Sequence, residues 1–342
     1  MTSVLPAQKP PRLVAWETTR ICNLACRHCR AEAISAPPPG ELNHEEGRNL
    51  LTQLAAWLPC PMVILSGGEP LMRPDIIELA AYGTSLGLRI LFSTNGTVVT
   101  AENAKALKKA GVARISLSLD GPDAASHDDF RGVPGAFEGL RRGAAHLTAA
   151  GLPFQINTTL TADTLHLAGA MTEQAAKLGA VAHHIFLLVP VGRAKNSQAL
   201  SAEKYESALR EMKKRETALP VEFKATCAPQ YQRIGRELKI PPTPHSGGRG
   251  CLAGQGFLFV SSTGDCQGCG YLPLTVGNVR EKPLREIYET APLFVDLRDQ
   301  SKYHGKCGHC EYFNICGGCR ARALAAGDHL GPEPLCPHIP KK

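Results

Sequence analysis

Three cysteines, Cys22, Cys26 and Cys29, lie in TTRICNLACRHCRA with the spacing C-x₃-C-x₂-C. Thiolates this close can ligate three irons of a four-iron cluster and leave the fourth iron open. A closed structural site takes four protein ligands, and no further cysteine follows within thirty residues of Cys29. The trio therefore points to an iron–sulfur enzyme whose open iron is completed by a small molecule. A zinc knuckle is the other reading of such a trio. A second field is denser: nine of the thirteen cysteines lie beyond residue 226, among them Cys307-x₂-Cys310-x₅-Cys316-x₂-Cys319 and Cys336. Sets of four thiolates suit either an iron–sulfur cluster or zinc. Cys60, beside a proline, reads as a small buried hydrophobe.

These side chains need a scaffold, and its pattern is visible. Up to about residue 216, short apolar or β-branched runs alternate with helical spacing, the arrangement of parallel strands joined by crossover helices. The runs predict strands at Leu13–Thr19, Met62–Ser66, Arg89–Thr94, Arg114–Leu119, Phe154–Leu160 and His183–Val189, with helices such as Pro74–Leu86 and Gly135–Ala150. Six such units make an α/β fold, a partial (β/α)₆ TIM-like barrel. In closed barrels function sits at the C-terminal strand ends. Pro37–Pro39 mark the loop expected to cover the cluster. Proline and glycine rise around Ile240–Gly250, which predicts two domains, residues 1–219 and a cysteine-rich 220–342.

Composition bounds the rest. A chain of 342 residues with 43% apolar content can bury a sizeable core, and no apolar run is long enough for a membrane span. MTSVLPAQKPPR lacks the apolar stretch of a secretory signal, so the cysteines are expected in the reducing cytoplasm, serving metals. The net charge of +7, from 38 basic and 31 acidic residues, favours an anionic substrate without the basic tracts of nucleic-acid binding.

The C-x₃-C-x₂-C motif resembles that of the radical SAM superfamily. By that resemblance Cys22, Cys26 and Cys29 hold a catalytic [4Fe–4S] cluster, and the amino and carboxylate groups of S-adenosylmethionine chelate its open iron. His28 stands where relatives usually carry an aromatic residue. The SAM-binding motifs follow in the family's order. Gly67-Gly68-Glu69-Pro70 closes the second strand, its glycines allowing close backbone approach and Glu69 balancing the methionyl ammonium. Ser93 and Asn95 follow the third strand, Ser118 and Asp120 the fourth, and Asn157 lies in the fifth. Leu188 and Val189 offer an apolar ledge for adenine. Arg131 resembles the arginine directed at the SAM carboxylate in many relatives. Asp120 beside a glycine also suits a turn, and Arg131 also suits a surface ion pair.

The C-terminal cysteines resemble the SPASM extension, which carries one or two auxiliary [4Fe–4S] clusters, although relatives more often have three residues between the last pair. The resemblance assigns Cys307, Cys310, Cys316 and Cys336 to one cluster and Cys251, Cys269 and Cys319 to another. Cys227, then Cys266, are candidates for the remaining ligand, and an open iron is the third option. Segments such as FQINTTLTADTL, HHIFLLVPVGR, FKATCAPQYQRI and GCLAGQGF extend the similarity to the oxygen-independent haem b synthase family. That family implies an anaerobic oxidative decarboxylase, which converts two propionates of iron-coproporphyrin III to vinyl groups with electrons from a flavodoxin or ferredoxin. Alternatives are the related enzyme of dissimilatory nitrite reductase haem biosynthesis and a peptide-modifying SPASM enzyme. Candidates for substrate contact are Arg193 and Lys224, as cations for carboxylates, and His183 and His184. These histidines alternate across a strand, so one ring faces the interior, where it contacts the substrate iron or a propionate, unless it is a satisfied core residue.

Overall fold

A computed structural model describes residues 9–57, 59–197, 200–242 and 249–341. One ten-stranded sheet organises them. Its strands are β1 (Leu13–Glu17), β2 (Met62–Ser66), β3 (Arg89–Ser93), β4 (Arg114–Ser118), β5 (Phe154–Leu160), β6 (Ala182–Leu187), β7 (Glu222–Thr226), β8 (Phe257–Val260), β9 (Asp265–Cys269) and β10 (Leu272–Asn278). Their spatial order is β10-β9-β8-β1-β2-β3-β4-β5-β6-β7. β1 to β7 run parallel in chain order, β8 joins parallel to the outer side of β1, and β9 and β10 continue antiparallel.

The predicted six strands are present to within two residues at each end. The sheet also crosses residue 220, with β7 added beside β6 and β8 to β10 added beside β1.

Crossover helices are α1 (His44–Ala55), α2 (Ile76–Ser85), α3 (Ala101–Lys109), α4 (Ala124–Arg131), α5 (Ala136–Ala149), α6 (Ala168–Lys177) and α7 (Ala202–Arg215). After β7 come α8 (Gln230–Glu237), α9 (Leu284–Thr290), α10 (Pro292–Arg298), α11 (Gly305–Gly308) and α12 (Arg320–Ala325). Side chains with helix-end chemistry start several of them. Asn43 and Glu46 form a reciprocal capping box on α1, and Asp123 caps α4 through the Ser126 amide.

Strand alternation divides the sheet into two faces. Val14, Trp16, Val63, Leu65, Ile90, Phe92, Ile115, Leu117 and Ile156 are fully buried in the core with helix residues such as Leu51, Leu79, Leu107 and Leu140. The opposite face carries half-buried Ser66, Ser93, Ser116, Ser118, Asn157, His184 and Phe186. With Ile64 and Leu91 this face mixes polar and apolar side chains and stays half-buried, unlike the fully buried face opposite. Among the described residues no helix is long and apolar enough to cross a membrane.

Candidate active site

The chain leaves β1 into the loop that carries Cys22, Cys26 and Cys29, and neighbouring segments hold that loop on several sides. At its start, Glu41 accepts hydrogen bonds from Thr19 Oγ1 and from the Arg20 amide at 2.7 Å. On the β2 side, the Gly68 and Glu69 amides donate to Thr19 O and Ile21 O at 2.8 and 2.7 Å. That approach explains the double glycine. A Cβ on Gly67, whose φ is +153°, would sit 2.3 Å from Thr19 O, and one on Gly68 would sit 2.3 Å from Ile21 O. The glycines thus seat the chain that leads into Cys22. Below the loop, the Ala25 and Arg27 amides donate to Arg131 O and Phe130 O at the end of α4. After β6, the Arg193 amide donates to Cys29 O, its Nε to Cys26 O at 2.8 Å and its Nη1 to Ala33 O. The expected substrate clamp Arg193 is therefore a tether of the cysteine loop, because its guanidinium is engaged by two loop carbonyls.

The sulfurs meet a ring of donors. Leu24 N donates to Cys22 Sγ and Ala33 N to Cys29 Sγ, both at 3.4 Å, and Arg131 Nη1 to Cys26 Sγ at 3.5 Å. Arg131 also forms a buried ion pair with Asp120. Burial alone would raise the Asp120 pKa, but Arg131 and the Thr159 amide outweigh it and hold the carboxyl below its ordinary range. Both residues thus have internal partners. His28 stacks on Phe130 with centroids 4.6 Å apart, and burial lowers its pKa to about 4, so the ring is neutral.

Glu69 is fully buried. Its carboxylate accepts from the Asn95 and Leu71 amides at 2.8 and 3.1 Å, and burial raises its pKa to about 7. Pro70 starts the short 3₁₀ turn that Glu69 caps. The Asn95 side chain is held by Asn23 and Thr97. Ser93, Ser118 and Asn157 line the open face, as does Leu188, whereas Val189 is 3% exposed and packs in the core. Of the adenine ledge expected at Leu188–Val189, only Leu188 thus lies on the open face, because Val189 is turned into the core. His183 is the satisfied core histidine: Thr172 and Thr158 hydroxyls hold its two ring nitrogens at 3.0 and 2.8 Å. His184 lies on the open face beside Gln155.

Asn23, Thr97, Glu41 and Arg30 were not legible as site residues. Arg30, next to Cys29, pairs with Glu17, reaches Gly270 O and lies 4.6 Å from the Phe259 ring centroid. It links the cysteine loop to β8 and to the turn that follows β9. Only its place inside the CRHCRA string hinted at such a role.

The C-terminal thiols separate into two groups. Cys307, Cys310, Cys316 and Cys336 line one pocket with Arg233, Lys306 and Glu333. Cys227, Cys251, Cys269 and Cys319 form the other group, close enough for the last three to raise the Cys227 pKa, an effect that follows burial itself in size. Cys266, by contrast, is fully buried, and burial followed by Asp265, with none of those four thiols, raises it to about 12. Glu333 connects the groups. Its carboxylate accepts from the Cys319 amide at 2.6 Å and pairs with buried Arg322, while its own amide donates to Cys307 Sγ at 3.3 Å.

Residues 16–165 match the radical SAM superfamily, and residues 251–311 match the SPASM iron–sulfur cluster-binding domain. The AdoMet-dependent heme synthase of Nitratidesulfovibrio vulgaris is 50% identical over 97% of this chain and 93% of its own length. That of Methanosarcina barkeri is 48% identical, over 97% of this chain and 98% of its own. The chain belongs to the radical SAM superfamily. A solved structure of Streptococcus suis SuiB bound to S-adenosylmethionine superposes with a TM-score of 0.76 over 96% of this chain and 78% of its own, at 18% identity, and shows the common fold.

As a radical SAM enzyme with a SPASM extension, the protein uses [4Fe–4S] clusters and SAM, and its residues fit them. Burial pushes Cys22 up to about 11, Cys319 to about 11 and Cys269 and Cys316 to about 12. Thiols this buried ionise when a metal cation takes the place of the proton. The amide and guanidinium donors on Cys22, Cys26, Cys29 and Cys307 then stabilise the sulfur charge.

Proposed function

We propose that this enzyme is an oxidative decarboxylase that converts two propionates of iron-coproporphyrin III into vinyl groups, forming haem b. The observation that carries this reading is 50% identity to an AdoMet-dependent heme synthase over 97% of the chain, both cysteine fields included. Residues 1–219 then bind SAM and its cluster, and residues 220–342 supply the auxiliary ligands. We assign Cys307, Cys310, Cys316 and Cys336 to one auxiliary cluster and Cys227, Cys251, Cys269 and Cys319 to a second.

When bound, the first cluster and SAM supply a 5′-deoxyadenosyl radical, an abstractor of hydrogen from carbon. Each ionised propionate gives up one hydrogen atom, one electron and CO₂ to become a vinyl group. The protein's part is positioning. Glu69 faces the charge of the methionyl ammonium, Arg131 and the loop amides hold the sulfurs, and Ser93, Ser118, Asn157 and Leu188 shape the open face. The departing electron needs an acceptor, and an auxiliary cluster held by either group of thiolates would supply one.

The experiment is anaerobic reconstitution followed by incubation with SAM, dithionite and iron-coproporphyrin III. Mass spectrometry is expected to show a product lighter by two CO₂ units and four hydrogens. SAM cleavage with an unchanged porphyrin would reject this substrate.

A further inference from the structure

The open face carries one feature that the radical chemistry does not use. In one row across β5, β6 and β7 stand Asn157, His184 and Lys224, direct register partners whose side chains share a face. Gln155, one step below, fixes the proton on His184. Arg114 Nη1 approaches Gln155 Oε1 at 3.5 Å, so the carboxamide oxygen faces Arg114 and its nitrogen faces the other way. That nitrogen donates to Asn157 Oδ1 at 3.0 Å and to His184 Nδ1 at 2.9 Å. An Nδ1 that accepts leaves the proton of a neutral imidazole on Nε2. Burial, followed by Lys224 and Arg114, holds the His184 pKa down to about 3, so the ring is neutral.

Among the described residues His184 Nε2 is buried and has no hydrogen-bond partner, so the row contains an unmatched N–H donor. Lys224 stands beside it on β7 and adds a positive charge. The tautomer excludes one role considered from sequence, since an Nε2 that carries hydrogen has no lone pair for the substrate iron.

We propose that His184 Nε2–H and the Lys224 ammonium together bind a carboxylate of the substrate, a propionate of the porphyrin that is not the one reacting. This rests on the porphyrin reading above. It adds that the open face recognises the macrocycle by its acid side chains rather than through its metal. Gln155 and Arg114 are positioning residues in this arrangement, because they act through the His184 ring.

The test is anaerobic absorption titration of the cluster-loaded enzyme with iron-coproporphyrin III and, separately, with its tetramethyl ester. Wild type is expected to bind the acid more tightly than the ester. His184→Phe and Lys224→Met are each expected to weaken acid binding about tenfold, the scale of a lost charge-assisted hydrogen bond, with ester and SAM affinity unchanged. Lys224→Arg should retain most of the affinity, and the Soret band of the bound porphyrin should keep its position in His184→Phe. Acid binding as tight in both variants as in wild type overturns the clamp while leaving the proposed substrate standing. A displaced Soret band in His184→Phe also overturns it, by making the ring an iron ligand, and loss of SAM affinity instead assigns the carboxylate to SAM. If wild type binds neither porphyrin, the proposed substrate falls and the clamp with it. Lys224 is exposed, so its variants keep the test open should His184→Phe fold poorly.

Discussion

Gly68→Ala tests how the cysteine loop is held. The added methyl carbon would lie 2.3 Å from Ile21 O, 2.8 Å from Arg20 O and 2.8 Å from Ile21 C, all of them backbone atoms that no rotamer change can remove. An ordinary carbon contact needs about 3.5 Å, so the strand of chain entering Cys22 has to retreat by roughly 1 Å. The hydrogen bonds from the Gly68 and Glu69 amides to Thr19 O and Ile21 O lengthen with it. Overpacking of this kind costs about 1–3 kcal/mol, which the fold can absorb. The chemistry cannot, because a misplacement of about 1 Å typically lowers the rate by about 10²-fold. The variant should therefore be soluble and folded, with auxiliary iron close to wild type and 5′-deoxyadenosine formation reduced about a hundredfold. The assay is dithionite-driven SAM cleavage, followed by chromatography, alongside iron and sulfide quantitation. A Gly68→Ala enzyme that cleaves SAM at the wild-type rate would falsify the claim that this contact sets the loop.

Further outcomes follow from other buried groups. Glu69 has its folded pKa raised from 4.5 to about 7, so the folded state binds the extra proton. Its contribution is then complete below about pH 4.5 and lost as pH rises through 7, a change of roughly 3 kcal/mol at most. Thermal unfolding of the metal-free protein should show that decline, and Glu69→Gln should flatten it; an equal slope in both proteins counts against the assignment. Glu333→Ala leaves Arg322 buried without its partner and should cost about 3–5 kcal/mol in urea unfolding while lowering auxiliary iron. A wild-type midpoint and iron content would rule out the bridging role. Cys26→Ala should abolish SAM cleavage yet keep auxiliary iron, read by metal analysis and electron paramagnetic resonance.

Much of this fold was legible because its strands are apolar runs closed by glycine, proline or polar residues. β2 and β5 have the bounds expected, since Met62–Ser66 is followed by Gly67-Gly68 and Phe154–Leu160 is preceded by Gly151 and Pro153. β7 and β8 escaped notice for the opposite reason. EFKAT is short and half polar, FLFV lies in a glycine-rich stretch, and each is a strand only because β6 or β1 offers it an edge. In the site, the residue types were readable but their partners were not. Arg193 read as an anion clamp from its charge and Arg131 from its resemblance to a family arginine, and the folded chain turns them toward Cys26 O, Cys26 Sγ and Asp120. Those pairings depend on residues more than a hundred positions apart or on the loop's own path. Cys269 joins that group and Cys266 does not because strand alternation turns the two to opposite faces of β9.

The placement of β8 against β1 reaches beyond sheet geometry. The strand that launches the SAM-cluster loop has one flank satisfied by residues from the last third of the polypeptide, register-matched from Leu13↔Phe257 to Trp16↔Val260. Cut away at residue 220, the first portion would expose a bare row of amides and carbonyls along β1 and release the Arg30 grip on Gly270. The first portion and the last third of the chain are therefore mechanically a single object, and the loop that carries Cys22, Cys26 and Cys29 is braced from both.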